Sequence, residues 1–248
     1  MPSSPFSSVS REVTRLEGFS DAVFGFAITL LVVSLEVPAT YDDLIAAFRG
    51  LPVFAVTFAM LLLVWHEHHT FFRQFGLQDG VTIWLNGLLL FVVMVYIYPL
   101  KFLFAMLASF RGDTANGPGT MIRDTQVVPL MVLYGIGFAS IFAVLALMYL
   151  HAARLERIGA PGTDQALLVG VDGGSRLDAL IGAGHCGVYV LVGLLSIAIA
   201  VIGNNALWTG VSGMTYGTIG PFQALYHYMS SSKWRRAAPA NDPAISTE

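Results

Sequence analysis

Two clusters of polar side chains border apolar stretches of this sequence and are the first candidates for chemistry. Arg15, Ser20 and Asp21 stand at the beginning of one apolar run, and residues 65–69, Trp-His-Glu-His-His, stand at the end of another. An ionisable side chain at the edge of a hydrophobic helix is costly unless it has a partner. Antiparallel neighbouring helices would bring the two clusters to the same depth, so we expect them to meet.

The second cluster places possible hydrogen-bond donors on one helical face. Trp65, His68 and His69 follow the i, i+3, i+4 spacing of neighbours on a helix surface. A Trp or His donor there could hold the Asp21 carboxylate by a charge-assisted hydrogen bond. The alternatives are a solvated helix start at Ser20 and Asp21, favoured by the helix dipole, and histidines that only pack at the membrane edge.

Histidine and glutamate together also raise the question of a metal or a haem. The HExxH pattern of zinc proteases fails because Thr70 occupies the second histidine position. We therefore expect no bound metal and no cofactor. A haem protein or another membrane enzyme would need two histidines that face each other at one depth, and the candidates are His66, His69, His151 and His185.

A proton- or ion-coupled carrier is the main alternative among transport functions. It would use Asp21, His66 and His68 as a relay. Transporters commonly contain inverted repeats and broken helices, and the sequence shows neither pattern convincingly.

The composition indicates a membrane protein. Of the 248 residues, 55% are hydrophobic and 12% are charged, whereas an ordinary soluble domain carries about 25% charged residues. A net charge of −3, without a stripe of lysines or arginines, excludes a nucleic-acid partner. The single cysteine, Cys186, excludes an internal disulfide and is expected to be a small buried side chain.

Six apolar stretches are long enough to cross a bilayer, which takes about 20 apolar residues. The predicted spans are 19–37, 51–72, 81–110 with a break at Pro99 and Lys101, 127–151, 179–202 and 206–228. The sequence thus predicts an all-α integral membrane protein. Its parts are an N-terminal segment 1–18, a transmembrane domain 19–230 and a polar, disordered tail 231–248.

The basic residues predict the orientation. If the N-terminus is cytoplasmic, nine of them fall in cytoplasmic segments and three, Arg49, Arg111 and Arg123, in outer loops. Cytoplasmic loops of membrane proteins carry the excess of lysine and arginine. The first eighteen residues lack the apolar core of a signal peptide. We therefore predict a multi-pass protein of the cell membrane with both termini in the cytoplasm.

One motif points to a particular family. The string RLEGFSD at residues 15–21, followed by AVFGFAITLL, resembles the signature of the endolysosomal potassium channel family, known as transmembrane protein 175. That signature is an arginine, three residues and Phe-Ser-Asp at the start of the first helix. Trp65 followed by His68 and His69 resembles the second helix of the family, and the span count and chain length resemble its bacterial members.

The resemblance implies a homotetramer in which the first helices line a central pore for potassium ions, and not an enzyme. Carried over from the motif, the constriction falls on Phe26, a hydroxyl layer on Thr29 and an outer apolar layer on Val33. A narrow apolar constriction gates by dewetting, and a hydroxyl can replace part of an ion's hydration shell. By helical spacing one face holds Ala22, Phe26, Thr29, Val33 and Val37.

The resemblance also assigns a structural role to the motif. Its residues and their partners are expected to form a polar network that fixes the first helix at the tetramer interface: Arg15, Phe19, Ser20, Asp21, Trp65 and His68. One departure concerns the constriction, where the family usually has Ile or Leu and this chain has Phe26 beside Gly25. Four Phe rings would close the pore more tightly or swing toward the space beside Gly25.

Two further segments bear on permeation. Glu36, Asp42 and Asp43 would raise the local cation concentration at the outer mouth, or they are simply a polar surface loop. The TVGYG filter of ordinary potassium channels is absent, and residues 215–220, TYGTIG, are expected to be a site of glycine-rich helix packing. The expected partners are potassium ions, the lipid bilayer and further copies of the chain.

Overall fold

The computed structural model describes residues 14–33, 39–109, 124–158, 175–203 and 206–237. All regular secondary structure in these ranges is helical. Five long helices follow one another along the chain: α1 (Arg15–Val33), α2 (Tyr41–Phe75), α3 (Gly80–Ser109), α4 (Asp124–Ile158) and α5 (Arg176–Gly203). After them come α6 (Ala206–Met214), a 3₁₀ turn (Thr215–Thr218) and α7 (Ile219–Ala237).

Three stretches of the described residues are long and apolar enough to cross a bilayer: Gly80–Pro99, Gln126–Leu155 and Arg176–Gly203. They correspond to the third, fourth and fifth predicted spans. The predicted break at Pro99 is wrong, because α3 continues through this residue. Tyr134 Oη of α4 donates a hydrogen bond of 2.5 Å to the Pro99 carbonyl oxygen, which gives the helix polar support at the proline.

The sixth predicted span is not one continuous helix. The hydroxyl of Thr215 donates to the Ser212 carbonyl oxygen at 2.6 Å, and that of Thr218 donates to the Thr215 carbonyl oxygen at 2.6 Å. Side-chain bonds of this kind compete with the backbone ladder, which accounts for the tighter 3₁₀ turn between α6 and α7. α7 then runs on to Ala237, into the segment predicted as a tail, and residues 238–248 lie outside the described part.

The helices form two groups, α1 to α3 and α4 to α7. α1 packs against α2 and α3, while α5 packs against α4, α6 and α7, and contacts of α2 and α3 with α4 join the groups. The α4–α5 pair has the largest helix interface. Small residues allow the two helices to approach closely: a Cβ atom at Gly135 would clash with the side chain of Ile197. Membrane helices commonly use such residues, because lipid is as apolar as the side chains and association depends on tight packing.

Polar side chains cap the helices at the same end of the molecule. Thr14 and Glu17 form a capping box at the start of α1, where Glu17 Oε2 accepts from the Thr14 amide at 2.8 Å. Asp79 caps α3, and its Oδ2 accepts from the amides of Val81 and Thr82. Asp79 Oδ2 also lies 2.8 Å from Nε2 of His151 on α4, so this cap ties the two helix groups together.

The Asp79 carboxyl lies between α2 and α3, outside the membrane-spanning segments. Burial raises its pKa, but hydrogen bonds from Thr82 and His151 outweigh burial and hold the pKa below the ordinary carboxyl value. A lowered pKa in the folded state means that the carboxylate stabilises the fold above the ordinary carboxyl pKa. That contribution is lost as the pH falls through the lowered value.

Asp79→Ala is therefore expected to lower the free energy of unfolding by about 1 kcal/mol, since the substitution removes an N-cap. The measurement is the melting temperature of purified protein in detergent. Asp79→Asn keeps a capping oxygen and serves as the control, so it should retain most of the stability at neutral pH. If Asp79→Ala has the same melting temperature as the wild type at neutral pH, the assigned cap is wrong.

Candidate pore helix and its polar anchors

Helix α1 has one buried and one exposed face. Phe24, Ala27 and Leu31 are buried against the rest of the subunit. On the opposite side, 60% of Phe19 and 68% of Phe26 are exposed. A large apolar residue that is mostly exposed in a single subunit faces either lipid or another copy of the chain.

The three residues assigned to the constriction lie in the second half of α1. Ala22, Phe26 and Thr29 are exposed together. The Thr29 hydroxyl donates to the Gly25 carbonyl oxygen at 2.9 Å, so its oxygen remains available as an acceptor. Val33 is the last residue of α1, and its side chain lies outside the described part, as does Val37.

Gly25, next to Phe26 on α1, is exposed. A Cβ atom built at Gly25 would meet no atom of another helix within 4 Å. Both residues thus lie on a part of α1 that the other described helices leave open.

The first polar anchor joins α1 to α2. Trp65 Nε1 donates a hydrogen bond of 2.9 Å to Asp21 Oδ1. The Trp65 indole stacks on the His69 ring, with centroids 5.2 Å apart and planes inclined by 17°. The i, i+4 spacing on α2 thus keeps the indole oriented toward α1. The bond is charge-assisted, because an indole N–H donates to a carboxylate.

The second polar anchor joins α1 to α3 and α2. Asn86 Nδ2 donates to the fully buried Ser20 hydroxyl at 2.9 Å, and Ser20 Oγ donates to the Leu16 carbonyl oxygen at 2.9 Å. Asn86 Oδ1 lies 2.8 Å from His68 Nε2. An amide oxygen only accepts, so His68 carries its proton on Nε2 in this arrangement.

Asn86 is the functional residue that the sequence analysis missed. It lies in the third predicted span and is buried. A polar residue inside an apolar span usually marks a contact with a neighbouring helix. That signal was available in the sequence, but it does not identify the partner. The predicted bond between His68 and Asp21 is replaced by the link through Asn86 to Ser20.

Two members of the predicted network lie apart from these hydrogen bonds. Arg15 is exposed at the first position of α1, and Phe19 is exposed one turn later. Within the described residues of this subunit, the anchors consist of Ser20 and Asp21 on α1 together with side chains of α2 and α3.

Two further histidines contact carboxylates. His151 Nε2 lies 2.8 Å from Asp79, and His185 Nε2 lies 3.0 Å from Glu67 Oε1. Cys186, the neighbour of His185, is fully buried as expected. Among the residues that the structure describes, no group of three His, Cys, Asp or Glu side chains could hold a metal ion.

The other predicted features of the permeation path are only partly described. Asp42 is exposed in the first turn of α2, while Glu36 and the Asp43 side chain lie outside the described part. Gly217 and Gly220 of the TYGTIG segment are exposed, and a Cβ at either would meet nothing within 4 Å. Close packing at these glycines within the subunit is therefore wrong.

Comparison with known proteins relates this arrangement to a family. The family model of the endosomal/lysosomal potassium channel TMEM175 matches residues 15–96, which include both polar anchors. A protein of Marivirga tractuosa named as a potassium channel is 37% identical over 239 residues, or 93% of each chain. The chain belongs to the TMEM175 potassium channel family. The family assignment made from the RLEGFSD motif is thus confirmed.

Solved structures agree with the TMEM175 assignment. The crystal structure of a variant of the potassium channel MtTMEM175, bound to a nanobody–MBP fusion protein, superposes with a TM-score of 0.73. It is 34% identical and the match covers 93% of this chain and 99% of that one. A TMEM175 homologue from Chamaesiphon minutus has a TM-score of 0.51 at 24% identity, which supports the fold alone. The chain is therefore an α-helical membrane protein of a channel family.

Removing the Asn86 side chain tests the second anchor. Asn86→Ala would leave the buried polar groups of Ser20 and His68 without their shared partner, which costs about 1–3 kcal/mol per unsatisfied group. A clear fall in the melting temperature in detergent is expected. Gly87→Ala is the matched control, since this exposed neighbour on α3 has open space for a methyl group. Equal melting of both variants would show that the anchor contributes nothing.

Proposed function

We propose that this chain is one subunit of a potassium-permeable cation channel of the cell membrane. Copies of α1 from a homotetramer line the pore, and the permeant partner is potassium. The single observation that carries the proposal is the exposed face of α1 with Phe26 at its centre, opposite a face held by two polar anchors. The relatives named as potassium channels support it.

A pore-lining helix must be fixed in rotation, because only one of its faces can point to the axis. Apolar packing alone specifies rotation weakly in a bilayer, where lipid competes on equal terms. The bonds at Ser20 and Asp21 are directional and come from different helices, α3 and α2. Together they orient α1 so that Phe26 points away from its own subunit.

The constriction follows from this orientation. Phe26 from each subunit forms an apolar ring that excludes water when it is narrow. Thr29, about one turn further along α1, provides acceptor oxygens to a partly dehydrated ion, and Val33 forms the outer apolar layer. Gly25 adds no side chain next to the exposed Phe26, and we propose that the constriction opens by a rotamer change of the Phe26 ring.

The proposed topology has six spans with both termini in the cytoplasm. α1 and α2 are the first two spans, the three apolar helices α3, α4 and α5 are the next three, and α6 with α7 forms a sixth, interrupted one. Asp42, exposed beyond the outer end of α1, contributes negative charge near the mouth.

The motif residues act in assembly. Asp21 is exposed although it accepts a bond from Trp65, and Arg15 and Phe19 are exposed beside it. An exposed carboxylate at the edge of an apolar helix is favourable when a neighbouring subunit supplies further polar contacts. We therefore assign Arg15, Phe19, Ser20, Asp21, Trp65 and His68 to positioning α1 at the subunit interface.

A coupled carrier is the second candidate, and one structural observation favours it. The interruption between α6 and α7 is the kind of broken helix that transporters use. However, the break satisfies its own hydroxyl groups with nearby carbonyl oxygens. The relay residues are also apart, because His66 is exposed and His68 bonds to Asn86.

Phe26→Ala tests the constriction. Removing the ring should widen the pore and raise potassium flux from liposomes by about tenfold, the ratio that corresponds to a barrier lower by roughly 1.4 kcal/mol. Val32→Ala is the control, because Val32 is exposed on α1 but lies about 120° around the helix from Phe26. Flux that saturates with potassium concentration and is unchanged by Phe26→Ala would favour the carrier instead.

Asp21→Ala tests the assembly role of the motif. Loss of the bond to Trp65 frees the rotation of α1, so the yield of tetramer should fall while the potassium-to-sodium selectivity of the assembled fraction stays the same. Size-exclusion chromatography with light scattering gives the yield, and liposome flux gives the selectivity. A variant that assembles normally but loses selectivity would place Asp21 in permeation.

A further inference from the structure

A groove lies on the outside of α3, at the end where this helix begins. Its volume is about 670 Å³, and it is open along one side, so an occupant would lie against the protein rather than inside it. The groove begins at the cap of α3 and ends in the apolar span Gly80–Pro99. Its lining residues are Asp79, Gly80, Val81, Trp84, Leu85 and Leu88.

The groove contains one negative charge at its polar end. Asp79 is the only charged residue between positions 74 and 100 of the sequence. Although it caps α3, 34% of its side chain is exposed. Its Oδ1 accepts one hydrogen bond, from the Thr82 hydroxyl, and a carboxylate oxygen can accept two. Asp79 can therefore accept a further donor from outside the chain.

An aromatic face follows the charge. Trp84 comes five residues after Asp79, about 7.5 Å further along the helix axis. Its side chain is 82% exposed, which leaves the indole ring open to the groove. A cation near the face of a Trp ring is attracted by the ring quadrupole. A carboxylate followed by an open indole is thus a combination that favours a cationic group.

Beyond Trp84 the outer surface of α3 is apolar and bulky. The exposed side chains recur every three or four residues and form one stripe: Val81, Trp84, Leu88, Phe91 and Val95. From Trp84 to Val95 the stripe extends about 16 Å, close to the roughly 15 Å of one leaflet's hydrocarbon. Contacts between membrane helices favour small residues, so a bulky stripe suits an acyl chain better than a second helix.

We propose that the α3 groove binds a phospholipid whose headgroup carries a primary ammonium group. The ammonium donates a hydrogen bond to Asp79 Oδ1 and lies near the face of the Trp84 ring, and an acyl chain follows the stripe. An anionic headgroup without an ammonium would instead bring its negative charge toward Asp79. The site goes beyond the proposed channel function, because neither residue lies on the exposed face of α1.

The test is lipid binding to the purified protein in detergent, measured by native mass spectrometry. The probes are phosphatidylethanolamine and phosphatidylglycerol with identical acyl chains, supplied in equal amounts. The ratio of bound ethanolamine lipid to bound glycerol lipid should be about threefold or more higher in the wild type than in Asp79→Asn, as expected for two exposed contacts of one ammonium. Asp79→Asn keeps a capping oxygen, so the fold is retained.

Two further variants test the aromatic contact. Trp84→Leu keeps an apolar side chain but removes the ring, and it should lower the same ratio about twofold or more. Ile83→Ala is the matched control, because Ile83 is an exposed apolar neighbour on α3 that does not line the groove, and it should keep the wild-type ratio.

Equal ratios in the wild type and Asp79→Asn would overturn the lipid site. A Trp84→Leu variant that keeps the wild-type ratio but changes the distribution of oligomers in the same spectra would show that another copy of the chain covers the groove, which would also overturn the site. None of these measurements involves ion flux, so their outcome is separate from that of the channel proposal.

Discussion

The structure of the chain depends on hydrogen bonds made by polar residues at one end of α1. Ser20 and Asp21 lie in the first turns of the apolar helix α1, where unsatisfied polar groups are costly. Asn86 of α3 and Trp65 of α2 satisfy them at 2.9 Å each. In a bilayer these bonds specify the position of α1 more strongly than apolar packing does, because lipid tails replace apolar side chains with little difference in free energy. Position and rotation of α1 follow from them.

The other helices support α2 and α3, the two helices that supply those bonds. α2 and α3 pack against α4, and α4 packs closely against α5 through small residues such as Gly135. Two contacts between histidine and carboxylate, at Asp79 and at Glu67, cross between the helix groups. The groups are thus joined by directional polar contacts, which fix their relative position more specifically than apolar surfaces would.

The sequence predicted the local features and one distant pair, Trp65 with Asp21, but not the other pairs. Composition and apolar length predicted a helical membrane protein, and the RLEGFSD motif predicted the family. Helical spacing predicted that Ala22, Phe26 and Thr29 share one face, and the structure shows that this face is exposed. The bond between Ser20 and Asn86 joins residues 66 positions apart, and that between Glu67 and His185 spans 118. No periodicity encodes such pairs, because they depend on how whole helices pack.

The exposure of Phe26 also depends on how whole helices pack. Phe24, Ala27 and Leu31 are buried on the opposite face of α1, whereas 68% of Phe26 is exposed. In the proposed channel, closing the apolar constriction requires rings from several copies of the chain to meet. Each chain would then supply orientation through its anchors, and the proposed assembly would supply closure. On this proposal, a substitution at an anchor and one at Phe26 act on different steps, even though both residues lie on one helix.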